Sequence, residues 1–256
     1  MQDIRLIAQD WQRHFPILKS YTPSTLFMIA DLLLIGLRFC SRGGESYTIH
    51  INWIPLWNDI DLKKRMPILD DEVKSSNNSY YFIYFCAHKR IYPNAVELTL
   101  NQFGSFIRPS ISLTEMLTYI DRKSRHLLRF KCIKHNPIFY VDTLTLKLAL
   151  STFFNDPFLI NKAKDEIEKE SSYWDEEHFF SCFNRTIGQW KEDLYREFAD
   201  RDAFMERIKR NAALPKVAAL NEAHIIYDLA PDSKFLRPAP RRGSIADFIS
   251  RIFKRK

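Results

Sequence analysis

The order Tyr-Thr-Ile-His-Ile-Asn-Trp alternates without a break, placing Tyr47, Ile49, Ile51 and Trp53 on one face and Thr48, His50 and Asn52 on the other. A period of two over this length predicts a half-buried β-strand. Tyr80 to Cys86 is apolar on both faces and reads as a central strand. Val96, Leu98 and Leu100 alternate again between Ala95 and Leu100, with Tyr92-Pro93-Asn94 as the turn between these two strands. The three together predict a small antiparallel sheet. Asn58 to Ser79, polar and carrying the string Ser-Ser-Asn-Asn-Ser, reads as a loop.

Helical spacing marks the rest. Ile4, Leu6, Ile7 and Trp11 make one face of a helix from about Asp3 to His14, ended by Pro16. Thr22 and Pro23 supply an N-cap and a first-turn proline for a second helix running to about Phe39, and Gly43-Gly44 marks the turn after it. Within it, Leu26 to Leu37 is the longest apolar run. At twelve residues including Asp31 it falls short of the ~20 that span a bilayer, so it reads as a buried helix and no transmembrane span is expected. Ser112-Leu-Thr-Glu115 is a capping box opening a helix that carries Leu113, Met116, Leu117, Ile120, Leu127 and Leu128. Ile138 to Phe154 mixes both periods and reads as strand at its start and helix after Asp142. From about Phe158 to Leu220 the chain is dense in helix-forming charged residues. Trp174, Phe179, Phe180, Phe183, Trp190, Leu194, Phe198 and Phe204 are available there to face a core.

The expected fold class is therefore α+β: a small antiparallel sheet with flanking helices in the N-terminal part, a mostly helical C-terminal half, and a C-terminal amphipathic helix. The expected organisation is a mixed part over 1–155, a helical part over 156–230 packed on it, a proline-containing linker over 231–243 and a basic helix over 244–256.

That last segment carries the strongest binding signal. Ile245, Phe248, Ile249, Ile252 and Phe253 form one apolar stripe at i, i+3, i+4, i+7 and i+8, while Arg251, Lys254, Arg255 and Lys256 lie off it. Ser244 is placed to cap it. Such a helix docks in a partner groove, lies on an anionic membrane surface, or folds back on its own domain. Ile245-Ala-Asp-Phe248-Ile249 also resembles the clamp-binding peptides of replication factors, with Arg242 where those have Gln and Ile249 in place of their second aromatic residue. That resemblance implies a clamp as partner.

Charge narrows the picture. The net charge is +7, and the tail from Arg241 to Lys256 holds six cations against Asp247. The body is thus nearly neutral, and general basicity says little about it. A second basic cluster, Arg122, Lys123, Arg125, Arg129, Lys131 and Lys134, begins on the helix opened by Ser112 and offers contacts to nucleic-acid phosphates. The acidic stretch from Asn161 to His178 is its natural intramolecular counterweight.

No string fixes a reaction. The chain has six Gly and neither a Gly-x-Gly-x-x-Gly nor a P-loop sequence, and no metal-ligand spacing joins its seven His. No metal or cofactor is expected. His88, beside Lys89 and Arg90 at the end of the expected central strand, is the best placed for a dispersed catalytic site. Cys40, Cys86, Cys132 and Cys182, widely spaced among apolar neighbours, read as reduced core thiols, and with no signal-peptide pattern at Met1–Asp10 the expected compartment is the cytoplasm. The first expectation is a non-enzymatic protein-binding protein, an adaptor or immunity-like factor that neutralises a toxin or serves an assembly. A nucleic-acid-associated protein using residues 112–135 comes second, and an enzyme with a site near His88 third.

Overall fold

The computed structural model describes residues 4–58, 66–127, 136–230, 233, 235 and 236, without the side chains of 125–127 and 139. The chain begins with helix α1 (Ile4–His14) and a run of strands β1 (Lys19–Thr22), β2 (Thr25–Ala30), β3 (Leu33–Arg42), β4 (Ser46–Pro55), β5 (Leu69–Glu72) and β6 (Ile83–Tyr84). There follow α2 (His88–Phe103), β7 (Ser110–Ser112), α3 (Leu113–Leu127) and α4 (Pro137–Phe153). The helical half holds α5 (Pro157–Ser171), α6 (Glu176–Phe183), α7 (Ile187–Ala199), α8 (Arg201–Ala212) and α9 (Pro215–Ala218), and ends in β8 (Glu222–Ile226). The fold class is α+β.

The expected second helix is a β-hairpin. Thr22-Pro23-Ser24-Thr25 is a tight turn, with the Thr22 N–H donating to Thr25 Oγ1 at 3.1 Å, so Thr22 caps no helix. The apolar run splits at Asp31, whose φ of +49° lets β2 reverse into β3. A run buried on both faces loses its alternation, and its hydrophobicity alone does not distinguish helix from strand. Gly36 fits only the hairpin: a Cβ there would lie 1.9 Å from the Leu26 carbonyl oxygen and 2.6 Å from Phe27 Cδ1. Gly43 and Gly44, at φ +62° and +78°, turn β3 into β4.

Two further expectations reverse. Ala95–Leu100 lies inside α2, where Ala95, Val96, Thr99 and Phe103 are buried at helical spacing and Leu100 points outward. Residues 138–142 belong to α4, which Asn136 caps by accepting from the Ile138 N–H at 3.1 Å, with Pro137 in its first turn. Leu144, Leu146, Leu148 and Leu150 are all buried, because this helix faces the core on more than one side. The strand expected over Tyr80–Cys86 shortens to Ile83–Tyr84. By contrast the helix near residues 3–14, the Ser112 cap, whose Oγ accepts from the Glu115 N–H at 3.0 Å, and the helical second half are present as read.

The sheet runs β5-β4-β3-β2-β8-β7, with β1 against β2 and β6 against β4. It is antiparallel through β1–β6 and parallel at β2–β8 and β8–β7. Strand β8 was not foreseen; it returns from the helical half into the sheet and is held by Asp31, which accepts from the Ile225 N–H at 2.6 Å. Helices α1, α2 and α3 cover the inner face, where Trp11 meets Phe39 and Tyr92, and Trp53 meets Tyr119. Trp57, just past β4, packs on Phe198 and Phe204 of the helical half. A single hydrophobic cluster reaches from Ile7 to Phe235, and each large side chain buried in it contributes about 1.5–3 kcal/mol relative to exposure. Among the described residues no helix is long and apolar enough to cross a membrane.

Candidate functional site on the outer sheet face

Directly opposed residues of an antiparallel ladder project from the same side. The pairings Cys40↔Thr48, Arg38↔His50 and Gly36↔Asn52 on one flank of β4, and His50↔Glu72 and Asn52↔Asp70 on the other, therefore gather a polar cluster on the face away from Trp53. Strand β4 is not half-buried as expected: its polar side is buried too, because Arg38, Asp70 and Glu72 bond across it.

His50 is the centre of this cluster. Its Nδ1 lies 2.7 Å from Asp70 Oδ1, and its Nε2 lies 3.2 Å from Thr48 Oγ1 and 3.8 Å from Glu72 Oε2. Asn52 Nδ2 donates to Asp70 Oδ1 at 2.9 Å and Arg38 Nη2 to Asp70 Oδ2 at 2.6 Å, so the carboxylate is held from three sides. Arg42 approaches Glu72 at 3.7 Å. The partly buried Cys40 thiol borders the ring.

These contacts set the charge states. Burial by itself would lower the His50 pKa, but hydrogen bonding to Asp70 and Cys40, and their charges, raise it to about 9. Burial works against ionisation of Asp70, yet His50 and then Arg38 hold its carboxyl below the usual range. Cys40 follows the same logic: burial opposes the thiolate, the hydrogen bond and charge of His50 and the charge of Arg38 outweigh it, and the thiol falls below its ordinary value. At neutral pH the fold holds an imidazolium between a carboxylate and an acidified thiol.

An apolar row borders the cluster. The turn at Ser75–Ser79, with Asn78 at φ +65°, brings Tyr80 back opposite Lys74. Tyr84 pairs with Ser46 and so shares the outer face, whereas Ile83 pairs with Tyr47 and is fully buried. Tyr80, Phe82 and Tyr84, at alternate positions, are 60%, 45% and 52% exposed. Three large aromatic side chains thus face solvent beside the charged cluster.

The residues singled out from sequence are dispersed. Ile245, Phe248, Ile249, Arg251, Ile252, Phe253, Lys254 and Arg255 lie outside the described residues, as do Arg129, Lys131, Lys134 and Cys132, and the side chain of Arg125. Arg122 stacks over the Tyr119 ring at 5.1 Å and Lys123 pairs with Asp71 at 2.6 Å, both lining a cavity of about 400 Å³ beside the Ser75 turn. Two acids of α5 have other partners: Glu166 meets Lys147 and Glu168 meets Lys191, each at 2.6 Å.

His88 opens α2 rather than ending a strand, and is 1% exposed. Its Nδ1 lies 2.9 Å from Tyr47 Oη and its Nε2 3.1 Å from Asp10 Oδ2, while Trp11 Nε1 donates to Tyr47 Oη at 3.0 Å. This chain of bonds ties α1, β4 and α2 together. Cys86 and Cys182 are exposed, not core thiols; Cys40 is partly buried. Among the described residues no group of three His, Cys, Asp or Glu side chains is arranged to hold a metal ion.

The outer-face cluster escaped sequence reading because its members lie ten and twenty residues apart on three strands. One signal was present: Arg38, Cys40 and Arg42 before Gly43-Gly44, and Ser46, Thr48, His50 and Asn52 after it, alternate symmetrically about a glycine turn. Comparison of the chain with protein-family models, curated proteins and solved structures finds no match.

Proposed function

We propose that this chain is a non-enzymatic, cytoplasmic protein-binding protein of the toxin-neutralising or assembly-accessory type, seating a partner protein on the aromatic row Tyr80, Phe82 and Tyr84. The observation that carries the reading is the exposure of three aromatic rings at alternate positions on the short segment from Tyr80 to Tyr84. Aromatic side chains bury large area with few rotamers to freeze and are enriched where partners dock. The neighbouring Arg38, Arg42, Asp70 and Glu72 supply the charged rim that fixes orientation. The free thiols of Cys40, Cys86 and Cys182 suit a reducing compartment. The amphipathic segment 244–256 is a second docking element in the same proposal. The engagement of Arg122 by Tyr119 and of Lys123 by Asp71 favours a protein over a nucleic acid.

The test is recovery of the full chain from its own cells beside a Phe82→Ser/Tyr84→Ser variant and a chain lacking residues 241–256. Loss of one stoichiometric co-purifying protein from the double variant, with its melting temperature unchanged, is the expected result. An unchanged set of co-purifying proteins in the double variant contradicts the reading.

A further inference from the structure

We propose that the cavity between β5, the Ser75 turn and helices α2 and α3 binds a small organic phosphate, a dianion on a hydroxyl-bearing body, independently of partner docking. The cavity holds about 400 Å³, within the range of roughly 300–1,000 Å³ typical of small-molecule sites. It lies at the edge of the sheet, where β5 is the last strand, and Lys74, Arg122 and Lys123 bring three cations to it from two separate stretches of chain. Phe103 of α2, 2% exposed, gives it an apolar wall.

The cations are held by the fold. Gln102 of α2 clamps the Lys74 backbone from both sides, accepting from its N–H at 3.0 Å and donating to its carbonyl oxygen at 2.6 Å. The Arg122 guanidinium lies over the ring of Tyr119 at 5.1 Å, and Tyr119 is itself buried and donates its hydroxyl to Asp71. Pairing then decides which charges are left. Lys123 and Asp71 neutralise each other at 2.6 Å, and Glu72, which also lines the cavity, is met on the outer face by Arg42 at 3.7 Å and His50 at 3.8 Å. Among the described residues Lys74 and Arg122 have no carboxylate partner. An ammonium and a planar fork of N–H donors together match a phosphate monoester, which carries about −1.5 to −2 charges at neutral pH. A monoanion would leave one of the two cations unanswered. Ser76 and Asn78 line the same cavity, and their side chains take no hydrogen-bond partner among the described residues. A hydroxyl and an amide in that position suit the hydroxyl groups of a sugar.

Titration calorimetry on the full chain, at about pH 8 and constant ionic strength, tests this with glucose 6-phosphate, glucose 6-sulfate and inorganic phosphate. Glucose 6-phosphate is expected to saturate one site with a Kd below about 1 mM. The sulfate ester, with the same body and one charge fewer, and inorganic phosphate, with the charge and no body, are each expected to bind about tenfold more weakly. Lys74→Gln and Arg122→Gln are each expected to weaken glucose 6-phosphate by about tenfold, and Lys209→Gln on the exposed side of α8 to leave it unchanged. No saturable binding of glucose 6-phosphate to the wild-type chain up to about 10 mM overturns the proposal without any variant. Equal affinity for the sulfate ester overturns the dianion, and equal affinity for inorganic phosphate overturns the hydroxyl-bearing body. Undiminished binding in both cavity variants, or an equal loss in Lys209→Gln, overturns the site.

Discussion

His50 Nδ1 and Asp70 Oδ1 stand 2.7 Å apart across the β4–β5 ladder, and against the effect of burial this bond raises the His50 pKa and lowers that of Asp70. A carboxylate locked by Arg38 and Asn52 holds the imidazolium in place, so the folded chain binds the His50 proton more tightly than the unfolded chain does.

The sign for stability follows by linkage. The folded His50 pKa is about 9 against an ordinary 6.5, so its contribution is complete below 6.5 and is lost as pH rises through about 9. The Cys40 thiolate acts in the opposite sense, because its folded pKa is lowered; Cys40→Ser removes that counter-effect. In a Cys40→Ser background, unfolding free energy is expected to fall by on the order of 1–2 kcal/mol between pH 6.5 and 9.5, discounted because Asp70 is about a third exposed. The further change His50→Gln should flatten that decline. Urea titrations at a series of pH values check both.

Gly36→Ala is expected to destabilise the fold by about 3 kcal/mol, since the added Cβ meets backbone at 1.9 Å in the middle of a sheet and no side-chain rotation relieves it. A urea midpoint shifted down with unchanged slope is the expected signature. A stability equal to wild type would contradict the β2–β3 register.

Tyr47→Phe removes the oxygen that accepts from Trp11 Nε1 and bonds His88 Nδ1, leaving two buried nitrogens without that partner. The expected cost is about 2 kcal/mol, read as a melting temperature lower by about 5 °C. Phe39→Leu, a neighbouring apolar change with no polar atom lost, should cost less than Tyr47→Phe if hydrogen bonding governs the site.

How much of this was legible in the sequence depends on which faces an element buries. Strand β4 and helix α1 present their natural periods and are read at once. Residues 26–37 are buried on both faces and Leu144, Leu146, Leu148 and Leu150 are all buried, so the contrast between apolar and polar positions that reveals a period is weak there; Asp31 and Gly36 spoke for a hairpin in the first of these runs. In α2 the alternation of Val96, Leu98 and Leu100 was accidental, because a side chain is as free to be apolar on an exposed position as on a buried one, and Leu100 is exposed. Strand β8 is five residues long and takes its pairing from strands far away in the chain, which no local pattern encodes. The outer-face cluster is of the same kind: Cys40, His50 and Asp70 become neighbours only through register.

Lys147 joins Asp121 of α3 to Glu166 of α5 at 2.7 and 2.6 Å and is largely buried. Lys147→Met leaves two partly buried acids facing each other and is expected to cost about 3 kcal/mol. The triple change Lys147→Met/Asp121→Asn/Glu166→Gln is expected to recover part of that loss, as measured by chemical unfolding. A triple variant weaker than the single one would show that the ion pairs are not the source.

The most direct test of partner docking places a photo-crosslinking benzoylphenylalanine at position 82 of the full chain in its own cells and, as a control, at the exposed Glu192 of α7. The expected result is a single partner protein cross-linked at 82, absent at 192, and lost when Tyr80 and Tyr84 are changed to Ser. Cross-links at 82 no more frequent or selective than at 192 would contradict the docking role of the aromatic row.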